Sequence, residues 1–172
     1  MEAVLQKPRK IAPSGFLNLK GVEYFLFEED FMENNIRCIP MIIRFKMDQA
    51  GIKLKLSEWG RFSTEERILL AKLECSTEQE IKDYGKYLRD LVKEHTGRNA
   101  TTLEIDQAPH WDNTYSLPEI LHQKLAEFDW QLSIEQWSNL SRLQRFALLK
   151  LCRGGHENKN FPKAMREFKL VG

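Results

Sequence analysis

Three cysteines and four histidines are the residues best equipped for chemistry in this 172-residue chain, and their spacing argues for little of it. Cys38 follows Arg37 and precedes Pro40, near an expected helix start, where a thiol pKa can be lowered. A catalytic cysteine also needs a base, and no histidine lies near it in sequence. A buried structural thiol is the plainer reading, because free cysteine is among the most buried residue types. Cys152 and His156 stand four apart, but Gly154 and Gly155 between them disfavour a helix, and two ligands do not make a zinc site. His95, His110 and His122 fall in separate segments with no ligand spacing. No metal and no cofactor are therefore expected. Neither a phosphate-binding loop nor a dinucleotide glycine fingerprint is present. Glu65 and Glu66 read as first-turn helix charges, not as an acid/base pair. An enzyme or cofactor carrier would have to work through Cys38, or through Cys152 with His156. The residues lean away from an enzyme.

The densest mixture of apolar and charged side chains is the stretch from Arg37 to Trp59. Pro40 suits the first turn of a helix, since its missing N–H would be unpaired there. Gly51 suits the stop, because positive φ costs glycine little. Between them Ile39, Ile42, Ile43, Met47 and Ala50 fall on one side of a 3.6-residue period, and Arg44 and Asp48 on the other. That pair is spaced for an i,i+4 contact of about 0.3–0.5 kcal/mol. Lys46 is the misfit, placed by helical geometry on the apolar side. It must snorkel, pair, or face a partner. Arg37, Cys38, Met41, Arg44, Lys46, Asp48 and Lys53 form the predicted partner-binding set, with the charges of Arg44 and Lys46 available to a partner.

Composition narrows the class further. Apolar residues make up 42% and charged residues 30%, the balance of a globular protein with a real interior. A net charge of +1 gives no basis for a dedicated nucleic-acid or membrane surface. Lys7-Pro-Arg-Lys10 interrupts the N-terminus before an apolar run forms, so no signal peptide is expected. Cys38 to Ile43, the longest apolar run of the opening stretch, is too short to span a bilayer. Three scattered cysteines read as reduced thiols in a reducing compartment, which predicts a cytoplasmic protein.

The elements that must position these residues are mainly helical. Residues 1–20 predict a loose arm, and residues 21–172 a single domain. Val22 to Phe27 suits a short strand or an extended lead-in. Glu28-Glu-Asp30 supplies negative charge for a helix start, and Phe31, Asn34 and Ile36 fit a short helix. Ile52 to Leu56 alternates as a strand does, and five residues beside a helix equally fit an extended linker. Trp59 to Leu73 then lines up with Trp137 to Leu151 at an offset of 78, with identities at Trp59/Trp137, Ser63/Ser141, Arg67/Arg145, Leu70/Leu148, Lys72/Lys150 and Leu73/Leu151. With one residue deleted, Glu80, Tyr84 and Leu88 oppose Glu157, Phe161 and Met165. This predicts two repeated helix–loop–helix units, about 52–95 and 130–170, packed together around a pseudo-twofold. The tryptophans would anchor their cores, and the two arginines would brace the helix pairs by bonding carbonyls or carboxylates. Ser63, Thr77, Ser133 and Ser141 each have Glu or Gln three residues on, the capping-box pattern. Gly97 closes the helix that Thr77 opens. A loop covers 98–118, tacked down by Leu103 and Trp111, and Leu117 to Phe128 reads as the helix leading into the second unit.

At Arg37-Cys-Ile-Pro-Met41, Arg44-Phe-Lys-Met-Asp48, Gly51-Ile-Lys-Leu54 and Trp59 the chain resembles the nitrate reductase associated protein family, known mainly from cyanobacteria. The similarity runs from about Phe25-Leu-Phe-Glu28 through Cys75-Ser-Thr77 and Tyr84 to Asn160-Phe161 and Glu167-Phe168. Glu74 stands where the family pattern has proline, and residues 98–122 match poorly. Genes of this family lie near those for assimilatory nitrate reductase and molybdopterin synthesis, and its members are implicated in obtaining active enzyme. The resemblance therefore implies a non-enzymatic assembly or maturation factor, a chaperone whose partner is nitrate reductase or its molybdenum-cofactor machinery. The family has no established catalytic residues to carry over.

Overall fold

A computed structural model describes residues 19–28, 39–154 and 159–172. The predicted arm and short helix at 29–38 fall outside these, apart from the arm's last two residues. The described chain is mainly helical. After a 3-10 turn at Leu26–Glu28 come α1 (Met41–Ala50), β1 (Ile52–Lys53), α2 (Leu56–Trp59), α3 (Thr64–Lys72) and α4 (Glu78–Thr96). Then follow β2 (Thr101–Thr102), a 3-10 turn at His110–Asp112, α5 (Glu119–Ala126), α6 (Ile134–Asn139), α7 (Arg142–Leu151) and α8 (Phe161–Glu167). No described helix is long and apolar enough to cross a membrane.

Local chemistry sets most boundaries. At Ser63, Thr77, Ser133 and Ser141 the side-chain oxygen accepts the N–H three residues on, and the Glu or Gln there accepts the cap residue's own N–H. Each box satisfies two of the N–H groups a helix start leaves unpaired. Gly51 and Gly97 end α1 and α4 at φ 70° and 69°. Gly51 has a second reason to lack a side chain: an added Cβ would lie 2.9 Å from Ile105 Cγ1 and 3.0 Å from the Leu103 carbonyl. That crowding arises because the Leu103 N–H donates to Gly51 O (2.8 Å) beside the β1–β2 pairing, Ile52 opposite Thr102 and Lys53 opposite Thr101.

Pro40 opens α1 as its N-cap. Two neighbouring segments are open to more than one reading in the sequence. The alternating run from Ile52 shrinks to a two-residue strand, because Leu56 already begins α2. Val22 to Phe27 forms no strand. Residues 22–25 are an extended lead-in to the 3-10 turn; Phe25 and Phe27 are buried and Leu26 is exposed, and Glu167 accepts the N–H groups of Leu26 (2.8 Å) and Phe27 (3.4 Å).

The interior has two apolar clusters. One gathers Ile43, Met47, Ile52, Trp59, Leu70, Tyr84 and Leu88. The other gathers Phe25, Phe27, Met41, Leu121, Trp137, Phe146, Leu148, Phe161 and Met165. Helix α1 contributes to both, and none of its ten residues is exposed. Trp59 and Trp137 are fully buried, one in each cluster.

The 78-residue offset begins earlier than Trp59. Pro40 and Pro118 are both N-caps, of α1 and α5. Gly51 and Asp129 both have positive φ, 70° and 53°. Ile43/Leu121, Met47/Leu125 and Leu54/Leu132 are buried at both positions. Lys46 and Lys124 are identical, and both are buried. Arg67 and Arg145, 78 apart, each bond carbonyls, though not at matching positions: Arg67 Nη2 donates to Trp59 O (3.0 Å), and Arg145 donates through Nη1 to Leu140 O and through Nε to Trp111 O (2.6 Å).

Candidate functional site

The predicted site residues meet α1 as a central helix, and that changes their roles. Met41 is buried in the second cluster, and Lys46 is 8% exposed. Neither lies on a surface. The expectation that Lys46 offers its charge to a partner therefore fails, for a reason lying 25 residues further along. Lys46 Nζ donates to the carbonyls of Ala71 (2.7 Å) and Leu73 (2.6 Å), at the end of α3. Those carbonyls have no helical partner of their own, and a cation there also meets the negative end of the helix dipole. The ammonium stands 5.8 Å from the Tyr84 ring centre, and burial pushes its pKa down.

Asp48 pairs across the molecule. Its Oδ2 accepts from Lys150 Nζ at 2.9 Å, with both side chains largely shielded, which joins α1 to α7. Burial lowers the Lys150 pKa, and the Asp48 carboxylate opposes that shift. Arg44 is half-buried, and Lys53 is exposed on β1. Arg37 and Cys38 lie outside the described residues, as does His156.

Glu28 is a residue the sequence reading underused. Its carboxylate accepts the N–H of Met41 at 2.5 Å and of Phe25 at 3.2 Å. It thus caps α1 from a distance and ties the lead-in to it. Burial pushes this carboxyl up to about 7, against the pull of the two N–H donors and of Arg44. Lys124 is a second such residue. It sits 5.9 Å from the Phe161 ring centre, as Lys46 sits over Tyr84, and it pairs with Glu127 at 2.8 Å. The offset that links Trp59 to Trp137 would have found it.

Neither described thiol is activated as a nucleophile. Cys75 is buried and pushed up to about 11, and Cys152 is half-buried and pushed up to about 12, in both cases chiefly by burial. His95 Nε2 instead meets both oxygens of Glu66 (3.0 and 2.9 Å), bonding the end of α4 to the capping box of α3. Among the described residues no group of three or more His, Cys, Asp or Glu side chains is placed to hold a metal ion. What this set does chemically is neutralise, cap and cross-link helices.

Neither curated proteins nor solved structures provide a match to this chain. A family profile does, over residues 24–168, nearly the whole described structure. The chain belongs to the family described as conserved nitrate reductase-associated protein.

Proposed function

We propose that this chain is a non-enzymatic accessory factor for assimilatory nitrate reductase, assisting its assembly or its maturation with the molybdenum cofactor through direct protein contact in the cytoplasm. The family match over residues 24–168 carries the reading. The interior supports it: the buried cations are engaged in capping and pairing, and both described thiols are held protonated at neutral pH. A carrier working through Cys152 gains no support from a thiol pushed up to about 12.

Of the predicted set in the Arg37–Lys53 stretch, Lys53 is the exposed one among the described residues, while Lys150 holds Asp48 and half-buried Arg44 acts on the Glu28 carboxylate. Met41 and Lys46 act beneath them as support. In a strain lacking this chain, nitrate reductase polypeptide is expected at normal level by immunoblot, with little activity. The wild-type chain restores activity, and Lys53→Glu does not, while circular dichroism shows the variant folded. Normal nitrate reductase activity in the deletion strain would end the accessory reading.

A further inference from the structure

A cavity of ≈ 200 Å³ lies between α1, the 98–112 segment and the start of α7. Leu103, Ile105 and Trp111 give it an apolar side. Four carboxylates line it, Asp48, Glu104, Asp106 and Asp112, against a single lining cation, Arg142. Two of the four are already neutralised. Arg142 grips Asp112 with two bonds, Nε to Oδ1 at 2.6 Å and Nη2 to Oδ2 at 2.8 Å, and Lys150 holds Asp48. Among the described residues Asp106 accepts the Ala108 N–H (3.0 Å) and meets no cation, so the turn contact leaves its charge uncompensated. Glu104 has no ion pair among the described residues, and both side chains are exposed. The cavity therefore carries about two unbalanced negative charges beside an apolar wall.

Two further groups need partners. Gln49 Oε1 and Trp111 Nε1 are buried polar atoms without a hydrogen-bond partner, and both residues line this cavity. A buried donor or acceptor left unpaired is costly, so such a group calls for an explanation. One is an acceptor and the other a donor.

We propose that this cavity receives the side chain of a lysine or arginine presented by a protein partner, an inference that rests on the reading that the chain works by protein contact. A side-chain cation fits better than a metal ion, because among the described residues no three of these carboxylates are placed to hold one. The methylene stem covers Leu103 and Ile105, which at 43% exposed is otherwise an uncovered apolar side chain. The charged head meets Glu104 and Asp106, with Gln49 Oε1 as a neutral acceptor. The indole N–H of Trp111 serves a backbone carbonyl of the same segment.

The test is an NMR titration of ¹⁵N-labelled full-length chain with N-acetyl-arginine methylamide and N-acetyl-lysine methylamide, using N-acetyl-norleucine methylamide as the uncharged control. Saturable shifts are expected at the Trp111 indole, the Gln49 side-chain amide and the backbone of 103–107, for the two cations only. Glu104→Gln with Asp106→Asn alters exposed side chains and leaves the turn acceptor in place, so the fold persists. It should weaken binding about two- to tenfold, the worth of one or two exposed charge pairs. Absence of saturable shifts at these groups, equal shifts from norleucine, or an unchanged affinity in the double variant would overturn the assignment. The titration uses no nitrate reductase, so its failure and that of the deletion-strain experiment are separate results.

Discussion

The pH dependence of stability between about pH 5 and pH 8 is set largely by Glu28. Its carboxyl is pushed up to about 7 in the fold from an unfolded value of 4.5, and the dominant cause is burial. A group whose folded pKa is raised binds its proton more tightly in the native state. Stability is then greatest below the unfolded value and declines as pH rises towards the folded one. The slope is at most about 1.4 kcal/mol per pH unit, and the full span is about 3 kcal/mol. Glu66 and Glu80, whose pKa values are lowered, act at or below 4.5 and leave this window clear. Glu28→Gln removes the titration. It also turns one N–H acceptor into a donor facing Phe25 or Met41, a fixed cost of about 1–3 kcal/mol. Urea denaturation at about pH 5 and pH 8 should show the wild-type midpoint falling by about 1–3 M, for a urea slope of about 1–3 kcal/mol/M. The variant should be less stable than wild type at the acid end and close much of the gap at the alkaline end. Parallel pH profiles for the two proteins would refute the argument that a buried carboxyl at the lead-in governs the window.

Trp59→Ala should cost about 3–5 kcal/mol, and Trp137→Ala at least as much, since Trp137 also donates to Asn113 O; chemical denaturation measures both. Lys46→Met should destabilise by about 1–3 kcal/mol, because the Ala71 and Leu73 carbonyls lose their donor, whereas Lys53→Ala should stay within about 0.5 kcal/mol. Gly51→Ala should cost at least 1 kcal/mol by the same assay, from strained φ and the approach of Ile105 and Leu103 O. Cys75 and Cys152 should resist iodoacetamide in native protein at about pH 8 and react fully in denaturant, as read by mass spectrometry.

What the sequence made legible is what depends on near neighbours. The four capping boxes and the two glycine stops are each written within a few residues, and each appears where the spacing places it. The mainly helical class follows from them. The fate of Lys46 was not legible, because its partners are backbone carbonyls, which every residue has and no side chain announces. Glu28 escaped for a similar reason: its acceptor role is set by Met41, thirteen residues away. Between the two readings offered for 22–27, strand or extended lead-in, the structure selects the lead-in, which runs into the 3-10 turn at Leu26. Burial alternates there as a strand's would, but a strand also needs an edge to pair with, and at Leu26 and Phe27 the chain turns and gives its N–H groups to Glu167. Lys124 was within reach of the repeat once the alignment is carried back to Pro40 and Pro118.

Helix α1 shares its side chains between both apolar clusters, and the Asp48–Lys150 bond fastens it to α7. Such a segment cannot be released by opening one side of the molecule alone. Its backbone amides should therefore belong to the slowest hydrogen-exchange class, reporting the free energy of global unfolding, while the exposed 104–108 segment exchanges through small local openings. A destabilising change on either side of α1 would be felt on the other, and the chain should melt in one cooperative step.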